Sequence, residues 1–315
     1  MGHPEFLHGL SSLDTFEHGC VATIGSFDGV HRGHKAVIEQ LRQKAGELNL
    51  PSLVMVFEPQ PHEYFSSDIA PPRLMRLREK VHALFAEGVD RVLCLKFNEA
   101  LRSLSAKAYI DKVLIDGLGV KHLVIGDDFR FGADRSGDFA MLQAAGKKHG
   151  FTVCDTKTQT FTDERISSTR IRKMLASDDL SGAARLLGKP FAMSGRVIYG
   201  KQLGRSIGFP TVNIGLGRYT SPVQGVYAVK VKECNGDSPV WNGVANVGMR
   251  PTVDGGKKAL LEVHLLGENL DLYGKFLTVQ FEKKIRIEKR FNSVDELKAQ
   301  IAIDSEHAKQ FFESE

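Results

Sequence analysis

The chain has few cysteines, and none of them lies close to another in sequence. The four are Cys20, Cys94, Cys154 and Cys234, with no Cys-x-x-Cys pair among them. Disulfide frameworks in small domains and tetrahedral zinc sites both depend on closely spaced cysteines, so this spacing argues against each. We therefore expect free thiols, which are typical of proteins of the reducing cytoplasm.

Long apolar runs and blocks of like charge are also missing. No stretch approaches the roughly 18 consecutive apolar residues of a membrane-spanning helix. The N-terminus lacks the basic, apolar and small-residue pattern of a secretory signal, and residues 1–6 (MGHPEF) carry no weight in the prediction. The net charge is +4, and residues 183–315 carry 19 basic against 14 acidic side chains. This excess is too small and too dispersed for a nucleic-acid-binding arm. We predict a cytoplasmic protein without a membrane span or a nucleic-acid partner.

The length of 315 residues favours two domains, and the first has the pattern of an α/β sheet. Apolar, β-branched runs alternate with segments of helical periodicity. The predicted strands are 21–24, 52–57, 91–95, 121–125 and 151–155, and the predicted helices are 35–48, 76–88, 105–118 and 138–149. Such alternation predicts a parallel, Rossmann-like sheet whose ligands lie beyond the carboxyl ends of the strands. We place this domain at residues 1–182.

The periodicity changes after Gly188, where short strand-like runs separated by glycine, proline and asparagine begin. The runs are 191–199, 225–232, 240–247, 259–266 and 275–282. This pattern predicts an antiparallel β-barrel over residues 183–315. A final helix over 293–312 begins with Ser293 and Glu296 at capping-box spacing. Its candidate inward residues include Val294, Leu297, Ile301, His307 and Phe311.

The most informative stretch is VATIGSFDGVHRGH, residues 21–34. A buried strand is followed by a loop with three glycines, Gly25, Gly29 and Gly33, and then by a helical pattern from His34. Glycines let the backbone approach a phosphate, and a helix N-terminus offers N–H groups and a positive dipole end. The imidazoles of His31 and His34 could donate hydrogen bonds to a reacting phosphoryl group. A helix cap with two surface histidines would explain the same residues without a ligand.

Three further polar segments lie after predicted strands or at the start of a predicted helix, as the 21–34 loop does. Residues 58–62 (EPQPH) follow the second predicted strand, residues 126–132 (GDDFRFG) follow the strand ending at 125, and residues 166–172 (ISSTRIR) open a helix. Each has an ordinary structural explanation, respectively a proline turn, an acidic loop and a capped helix. Together with the 21–34 loop, however, they favour a ligand site at one edge of the sheet.

These four segments resemble the FMN adenylyltransferase module of prokaryotic bifunctional riboflavin kinase/FAD synthetases. Its hallmarks are G-x-F-D-G-x-H-x-G-H, F-E-P-x-P, G-x-D-F-R-F-G and I-S-S-T-x-I-R. The resemblance implies adenylyl transfer from ATP to FMN, with catalytic His31 and His34 and with flavin contacts from Asp128 and Phe129. The implied ATP-binding residues are Gly25, Phe27, Asp28, Gly33, Ser168, Thr169 and Arg172, with Arg170 an open alternative to Arg172. Gln60 stands where the family commonly has histidine, which leaves its role open.

In the second domain, residues 200–213 (GKQLGRSIGFPTVN) and 246–252 (NVGMRPT) combine glycines, cations and side-chain oxygens. Thr211 and Asn213 lie two apart on an extended segment, so their oxygens point to the same side and suit Mg²⁺. A plain hairpin connection would explain the glycines equally well.

Both segments resemble the riboflavin kinase module, whose P-T-x-N signature is associated with Mg·ATP; here Val212 occupies the variable position. The resemblance implies Glu262 as catalytic base, which is chemically reasonable because the riboflavin hydroxyl is neutral whereas the FMN phosphate is already ionised. A solvent-facing strand glutamate is the alternative. The remaining implied residues are Gly204, Pro210 and Thr211 for ATP, Thr211 and Asn213 for the metal, and Asn246 and Arg250 for the flavin.

The resulting hypothesis is a bifunctional enzyme that phosphorylates riboflavin to FMN and then adenylylates FMN to FAD, releasing pyrophosphate. Its substrates would be riboflavin, FMN and ATP, with Mg²⁺ as cofactor. Two alternatives remain: a flavin-binding regulator with inactive sites, and an RNA-binding barrel fused to an adenylyltransferase. The sequence does not indicate the oligomeric state, or whether FMN passes directly between the sites.

Overall fold

The structure, a computed structural model, divides into two compact units. It describes residues 3–9, 16, 18–66, 70–126, 128–156, 160–161, 164–200, 208–217, 220–234, 238–251, 257–268 and 270–314. The first unit comprises residues 1–70 and 75–167, and the second comprises residues 71–74 and 168–315. None of the helices within these described ranges is both long and apolar enough to cross a membrane.

The first unit is built on a six-stranded parallel sheet of order β1-β4-β3-β2-β5-β6. Its strands are β1 (Glu5–His8), β2 (Cys20–Ile24), β3 (Ser52–Glu58), β4 (Arg91–Lys96), β5 (Val120–Ile125) and β6 (Thr152–Asp155). The short strands β7 (Thr160–Phe161) and β8 (Glu164–Arg165) form a separate antiparallel pair. The helices are α1 (Arg32–Leu48), α2 (Pro61–Phe65), α3 (Leu77–Ala86), α4 (Glu99–Arg102), α5 (Ala106–Tyr109) and α6 (Phe139–His149).

The central strand is β2, and all five of its residues are buried. Cys20, Ala22 and Ile24 pack into one apolar cluster, whereas Val21 packs into a second cluster that includes residues of α1 and α3. Strand β2 pairs with β3 on one side and with β5 on the other. The chain therefore reverses its winding direction at β2, and the loop that follows β2 lies where ligands bind in doubly wound sheets.

Two features of this unit go beyond the sequence prediction. Residues 5–8, for which the sequence predicts no element, form strand β1, which pairs with β4 at the edge of the sheet. The helix predicted over 105–118 is present, but it is an α-helical turn, α5, followed by a π-helix over Ile110–Gly117. Ile110, Val113 and Leu114 of this segment are buried, and such wide turns are uncommon, so sequence periodicity does not reveal them.

The second unit contains the predicted antiparallel barrel, which is closed and has the strand order β10-β13-β12-β11-β14-β9. It has six strands, one more than the five predicted runs, because residues 211–215 also form a strand. Its strands are β9 (Ala192–Ile198), β10 (Thr211–Gly215), β11 (Gly225–Glu233), β12 (Trp241–Pro251), β13 (Lys257–Leu265) and β14 (Phe276–Arg286), and all pairs are antiparallel. Its helices are α7 (Ser168–Ala176), α8 (Leu180–Leu187) and the terminal α9 (Val294–Glu313). By packing, α7 belongs to this unit because it contacts α8, so the compact units change at residue 168.

The two faces of the barrel wall pack against different parts of the unit. Leu261 and Val263 of β13 are completely buried and lie opposite Val247 and Ala245 of β12, also completely buried. On the other face Val226, Ala228 and Val244 pack with Ala308 of α9. Because side chains alternate along a strand, Glu262, which lies between Leu261 and Val263, belongs to this second, outer face.

Candidate functional site

The loop between β2 and α1 is tightly folded. Phe27, Gly29 and Val30 all have positive φ angles of 46°, 89° and 39°, a region that only glycine adopts without cost. The backbone N–H of Gly25 donates to the carbonyl of Met55 at 3.1 Å, and that of Val30 donates to the carbonyl of Phe27 at 3.3 Å. A side chain at Gly25 would begin 3.1 Å from the Phe27 ring. This compact turn ends at the N-terminus of α1, where a phosphate could reach the backbone N–H groups.

His31 and His34 are brought together at this helix start. His31 is the N-cap of α1, and its Nδ1 accepts a hydrogen bond from the backbone N–H of His34 at 3.3 Å. The two rings stack with centroids 3.6 Å apart at 15°, and the Phe27 ring lies 4.9 Å from the His34 ring. The pair predicted to act on a phosphoryl group is therefore held in one place before any ligand arrives.

His34 is poised as a neutral hydrogen-bonding group. Burial, with contributions from the positive charges of His31 and Lys80, holds the pKa of His34 well below its usual value. The Nδ1 atom of His34 is buried and has no hydrogen-bond partner in the described part of the chain. At neutral pH the ring is therefore uncharged, and it can exchange a hydrogen bond but not supply a full positive charge.

Lys80 supplies a positive charge that the sequence reasoning missed. It lies on α3, is 0% exposed, and influences the titration of His34. A buried lysine is rare unless an anion compensates it. The sequence pattern could have identified Lys80, because it lies three residues after Leu77 and four before Leu84. This spacing places it on the apolar side of the helix.

Asp28 and Gly33, both predicted to bind ATP, have clear structural contacts. Asp28 is completely buried, and its Oδ1 accepts a hydrogen bond from the backbone N–H of Met75 at 2.9 Å. A side chain at Gly33 would begin 3.2 Å from the His31 ring and 3.4 Å from the carbonyl oxygen of Ile166. Asp28 thus anchors the loop, and Gly33 leaves the room that the histidine pair needs.

The predicted flavin contacts follow β5, on the other side of β2 from β3. Asp128 is exposed and pairs with Arg165 at 3.3 Å. The Phe129 ring stacks on Phe131 at 5.6 Å, and Phe131 in turn lies 5.5 Å from Tyr109. This row of rings offers an apolar surface next to a carboxylate, which suits a flavin ring system.

Ser168, Thr169 and Arg172 lie at the start of α7 and belong to the second compact unit. The Arg172 Nε donates to the carbonyl of Pro72 at 2.7 Å, within the same unit. Their predicted role in ATP binding stays a prediction, as does the choice between Arg170 and Arg172.

On the outer face of the barrel, three predicted residues lie in one row across neighbouring strands. Glu262 of β13 is directly opposite Asn213 of β10 and directly opposite Asn246 of β12. Directly opposed residues share a face, with their Cβ atoms roughly 4.5–5.5 Å apart. The structure therefore places the predicted base between the predicted metal ligand and the predicted flavin contact.

The neighbouring row holds Thr211 and a histidine that the sequence reasoning left without a role. Thr211 is directly opposite His264, and the His264 Nδ1 lies 2.9 Å from the carbonyl oxygen of Pro210. A carbonyl can only accept, so Nδ1 carries the proton. The Phe209 ring packs edge-on against His264 at 5.3 Å. His264 lies two residues after Glu262, on the same face of the strand, and this spacing could have identified it.

The surroundings of Asn213 are also fitted closely. Asn213 is only 7% exposed, and a Cβ atom at Gly200 would overlap its carboxamide. Pro210, Thr211 and Asn213 line a cavity of about 260 Å³. Gly204 lies outside the described residues, and Arg250 lies on β12 but its side chain is outside the described part.

The side-chain oxygens of Thr211, Asn213 and Glu262 are suitable ligands for a hard cation. The described residues contain no group of three or more histidine, cysteine, aspartate or glutamate side chains placed to hold a metal. Thr211, Asn213 and Glu262 instead offer hydroxyl, amide and carboxylate oxygens on one face. Mg²⁺ is commonly held by one or two protein oxygens together with waters and substrate phosphates, so this donor set is sufficient.

Comparison with known proteins places both halves of the chain. Residues 13–170 match a family model described as FAD synthetase, and residues 187–312 match one described as riboflavin kinase. A protein of Escherichia coli K12 named bifunctional riboflavin kinase/FMN adenylyltransferase is 54% identical to this chain, over 97% of this chain and 96% of that protein. A protein of the same name from Pseudomonas fluorescens is 52% identical, over 95% of each chain. A crystal structure described as a macrolide-efflux protein from Streptococcus pneumoniae is similar over 97% of this chain and 98% of its own, at 29% identity and a TM-score of 0.78.

Proposed function

Because the chain belongs to the family of bifunctional riboflavin kinase/FMN adenylyltransferases, we propose that its two phosphate chemistries are divided between the histidine pair after β2 and the polar row on the barrel. The chain converts riboflavin to FMN as a kinase and FMN to FAD as an adenylyltransferase, using ATP in both steps. The proposal assigns the adenylyltransferase to residues 1–182 and the kinase to residues 183–315.

The observation that carries this division is the row formed by Asn213, Glu262 and Asn246. The riboflavin hydroxyl is a neutral nucleophile, so its attack on the γ-phosphorus of ATP needs a group that accepts its proton. Glu262 is the carboxylate in the row, and the two flanking amides can orient the substrates on either side of it. Glu262 accepts the proton, Asn246 and Arg250 bind the flavin, and Gly204, Pro210 and Thr211 bind ATP.

Mg²⁺ belongs to the same proposal. Thr211 and Asn213 would hold the ion, which when bound neutralises charge on the phosphates of ATP. Burial of Asn213 and the close approach of Gly200 to its carboxamide restrict this side chain, which supports the proposed role.

The adenylyltransferase reaction makes a different demand on the protein. The FMN phosphate is already an anion, so it attacks the α-phosphorus of ATP without a base, and the site supplies positioning and charge stabilisation. His31 and His34 contact the reacting phosphoryl oxygens, with the α1 N-terminus, Gly25, Phe27, Asp28 and Gly33 forming the ATP loop. Asp128 and Phe129 bind the flavin, and Ser168, Thr169 and Arg172 complete the ATP contacts.

A cytoplasmic location and the absence of a nucleic-acid partner are further parts of the proposal. None of the four cysteines, all of which the structure describes, forms a disulfide, and two of them are buried. Free thiols are typical of a reducing compartment.

The division is tested with two variants, each of which is expected to lose one reaction and keep the other. Glu262→Gln removes the proton acceptor and is expected to slow FMN formation by roughly 10²–10⁴-fold, while FAD synthesis from supplied FMN continues. His31→Ala with His34→Ala is expected to slow FAD synthesis by roughly 10²–10³-fold and to leave FMN formation intact. Chromatography of the flavins after incubation with Mg·ATP measures both steps.

Each variant serves as the folding control for the other half-reaction. A folded variant that loses both steps would contradict the division, and so would a Glu262→Gln protein that still makes FMN at the original rate. If the unaltered chain formed neither FMN nor FAD, the alternative of a flavin-binding regulator would be favoured.

A further inference from the structure

Gln60 is a buried polar side chain whose carboxamide atoms have no hydrogen-bond partner in the part of the chain that the structure describes. It is 1% exposed, and neither its Oε1 nor its Nε2 has a hydrogen-bond partner within the described ranges. Its backbone, by contrast, is well held: its N–H donates to Glu63 Oε2 at 2.9 Å, and its carbonyl accepts from the N–H groups of Glu63 and Tyr64 at 2.9 and 3.1 Å. The residue is therefore fixed in place while its carboxamide remains available.

A buried carboxamide without hydrogen bonds destabilises the ligand-free protein. Buried donors and acceptors are nearly always paired, and leaving one unpaired carries the full penalty of its desolvation. Gln60 leaves one donor group and one acceptor unpaired at once. A methionine of similar length would avoid this penalty, so the carboxamide points to a role in recognition.

The position of Gln60 places that role at the ligand-binding edge of the sheet. Strand β3 runs beside β2, with Ile24 paired to Met55, and Gln60 follows the carboxyl end of β3 by two residues. The loop after β2, which leads to His31 and His34, emerges at the same edge. His34 Nδ1 is another buried atom there that lacks a hydrogen-bond partner in the described part.

We propose that the Gln60 carboxamide recognises the polar edge of a substrate heterocycle in the FMN adenylyltransferase reaction. The inference rests on the function proposed above. A carboxamide presents an N–H donor beside an oxygen acceptor, and it pairs with a ring edge that presents an acceptor beside a donor. Two substrate rings have such an edge: the adenine of ATP, and the flavin ring of FMN at its N3–H and neighbouring carbonyl groups.

The central test replaces Gln60 with methionine, which keeps the length and removes both polar atoms. We expect the KM of one substrate in FAD synthesis, either ATP or FMN, to rise about tenfold, as for the loss of about one good hydrogen-bonded contact. The KM that rises identifies the ring. We expect the Tm of the ligand-free protein to rise by about 2 °C or more, because the unpaired atoms are gone.

A second variant, Gln60→Glu, checks the donor half of the amide. When ionised, the glutamate keeps the acceptor and loses the donor, so at a pH above its pKa it should raise the same KM as Gln60→Met without the gain in Tm. The matched control is Gln43→Met on α1, where the side chain is exposed and donates to Glu47 at 3.4 Å. This control should leave the Tm and both KM values unchanged.

The riboflavin kinase reaction of each variant reports on folding. Unchanged KM values for both substrates would overturn the inference whatever happens to kcat. Equal rises in both KM values, or a lowered Tm in Gln60→Met, would also overturn it, since they indicate a packing role. Failure of the proposed function would appear differently, as an absence of FAD synthesis in the unaltered chain and in Gln43→Met.

Discussion

Single side chains set up the chemistry in both units, and His264 illustrates how. Its Nδ1–H holds the carbonyl of Pro210, one residue before Thr211, and its ring packs against Phe209. It is therefore a positioning residue for the segment that is proposed to bind Mg·ATP. The histidine pair of the other unit shows the same principle, since His31 caps α1 and stacks on His34 in one arrangement.

We expect His264→Phe to raise the KM for ATP in FMN formation by roughly 2–10-fold, the effect of losing one hydrogen bond. The ring packing is kept, so kcat should change less than KM. Steady-state kinetics of FMN formation measures this, and His264→Asn should restore part of the affinity. His307→Phe, at an exposed position of α9, is the control, and a parallel loss of FAD synthesis would show that His264 acts on folding instead.

At the scale of elements, α9 buries most of the face that its sequence predicts. Leu297 and Ile301 are half-buried and Phe311 packs against the apolar cluster around Ala308, whereas the other two candidates, Val294 and His307, are exposed. The most buried residues of the helix are Asp304, Ser305 and Ala308, which lie between these positions. Asp304 is accommodated there by an ion pair, since it accepts hydrogen bonds from Arg286 Nε at 2.9 Å and from Arg286 Nη2 at 2.7 Å. Periodicity of apolar residues alone does not predict this charged contact on the buried face.

Removal of one partner of this pair should be costly. Asp304→Ala is expected to lower the free energy of unfolding of the second unit by about 3 kcal/mol, because Arg286 would keep a partly buried charge without its partner. Urea unfolding of the full chain measures the change. The double variant Asp304→Leu with Arg286→Met should recover most of the loss. The control Glu306→Ala, at an exposed position two residues further along α9, should lose little. A double variant as unstable as the sum of its single changes would contradict coupling between the two residues.

At the scale of the whole molecule, one chain joins two reactions that need different chemistry. Each reaction has its own ATP contacts and its own flavin contacts in the proposal, so FMN made by one site is a complete substrate for the other. In the proposal, the kinase reaction uses a carboxylate on the barrel because its nucleophile is neutral, and the adenylyltransferase reaction uses the histidine pair after β2 because its nucleophile is already an anion.

A mixture of two defective proteins tests this independence. With riboflavin and Mg·ATP, the His31→Ala/His34→Ala protein should accumulate FMN, and Glu262→Gln alone should make almost no FAD. Mixed together they should form FAD after a lag, because released FMN reaches the intact adenylyltransferase. A time course by chromatography measures the lag. If the mixture made no FAD while each half-reaction still worked separately, FMN would not be exchanging between molecules.

Local patterns in the sequence were sufficient for much of the architecture. The alternation of apolar strands and amphipathic helices predicted the parallel sheet, and the short runs after Gly188 predicted the barrel. The glycines and histidines of residues 25–34 located the start of α1, and the alternation around Glu262 predicted the opposite orientation of Leu261 and Val263. These features follow from periodicity and helix capping, which act between residues close in the chain.

Only the tertiary structure decided which distant residues meet. Residues 5–8 become a strand because β4 offers an open edge, and α9 rotates to pair Asp304 with Arg286. The register of the barrel places Asn213, Glu262 and Asn246 in one row. The packing around the end of β3 buries the Gln60 carboxamide without a hydrogen-bond partner among the described residues. Pairing, register and burial depend on contacts between segments far apart in sequence, which local periodicity does not specify.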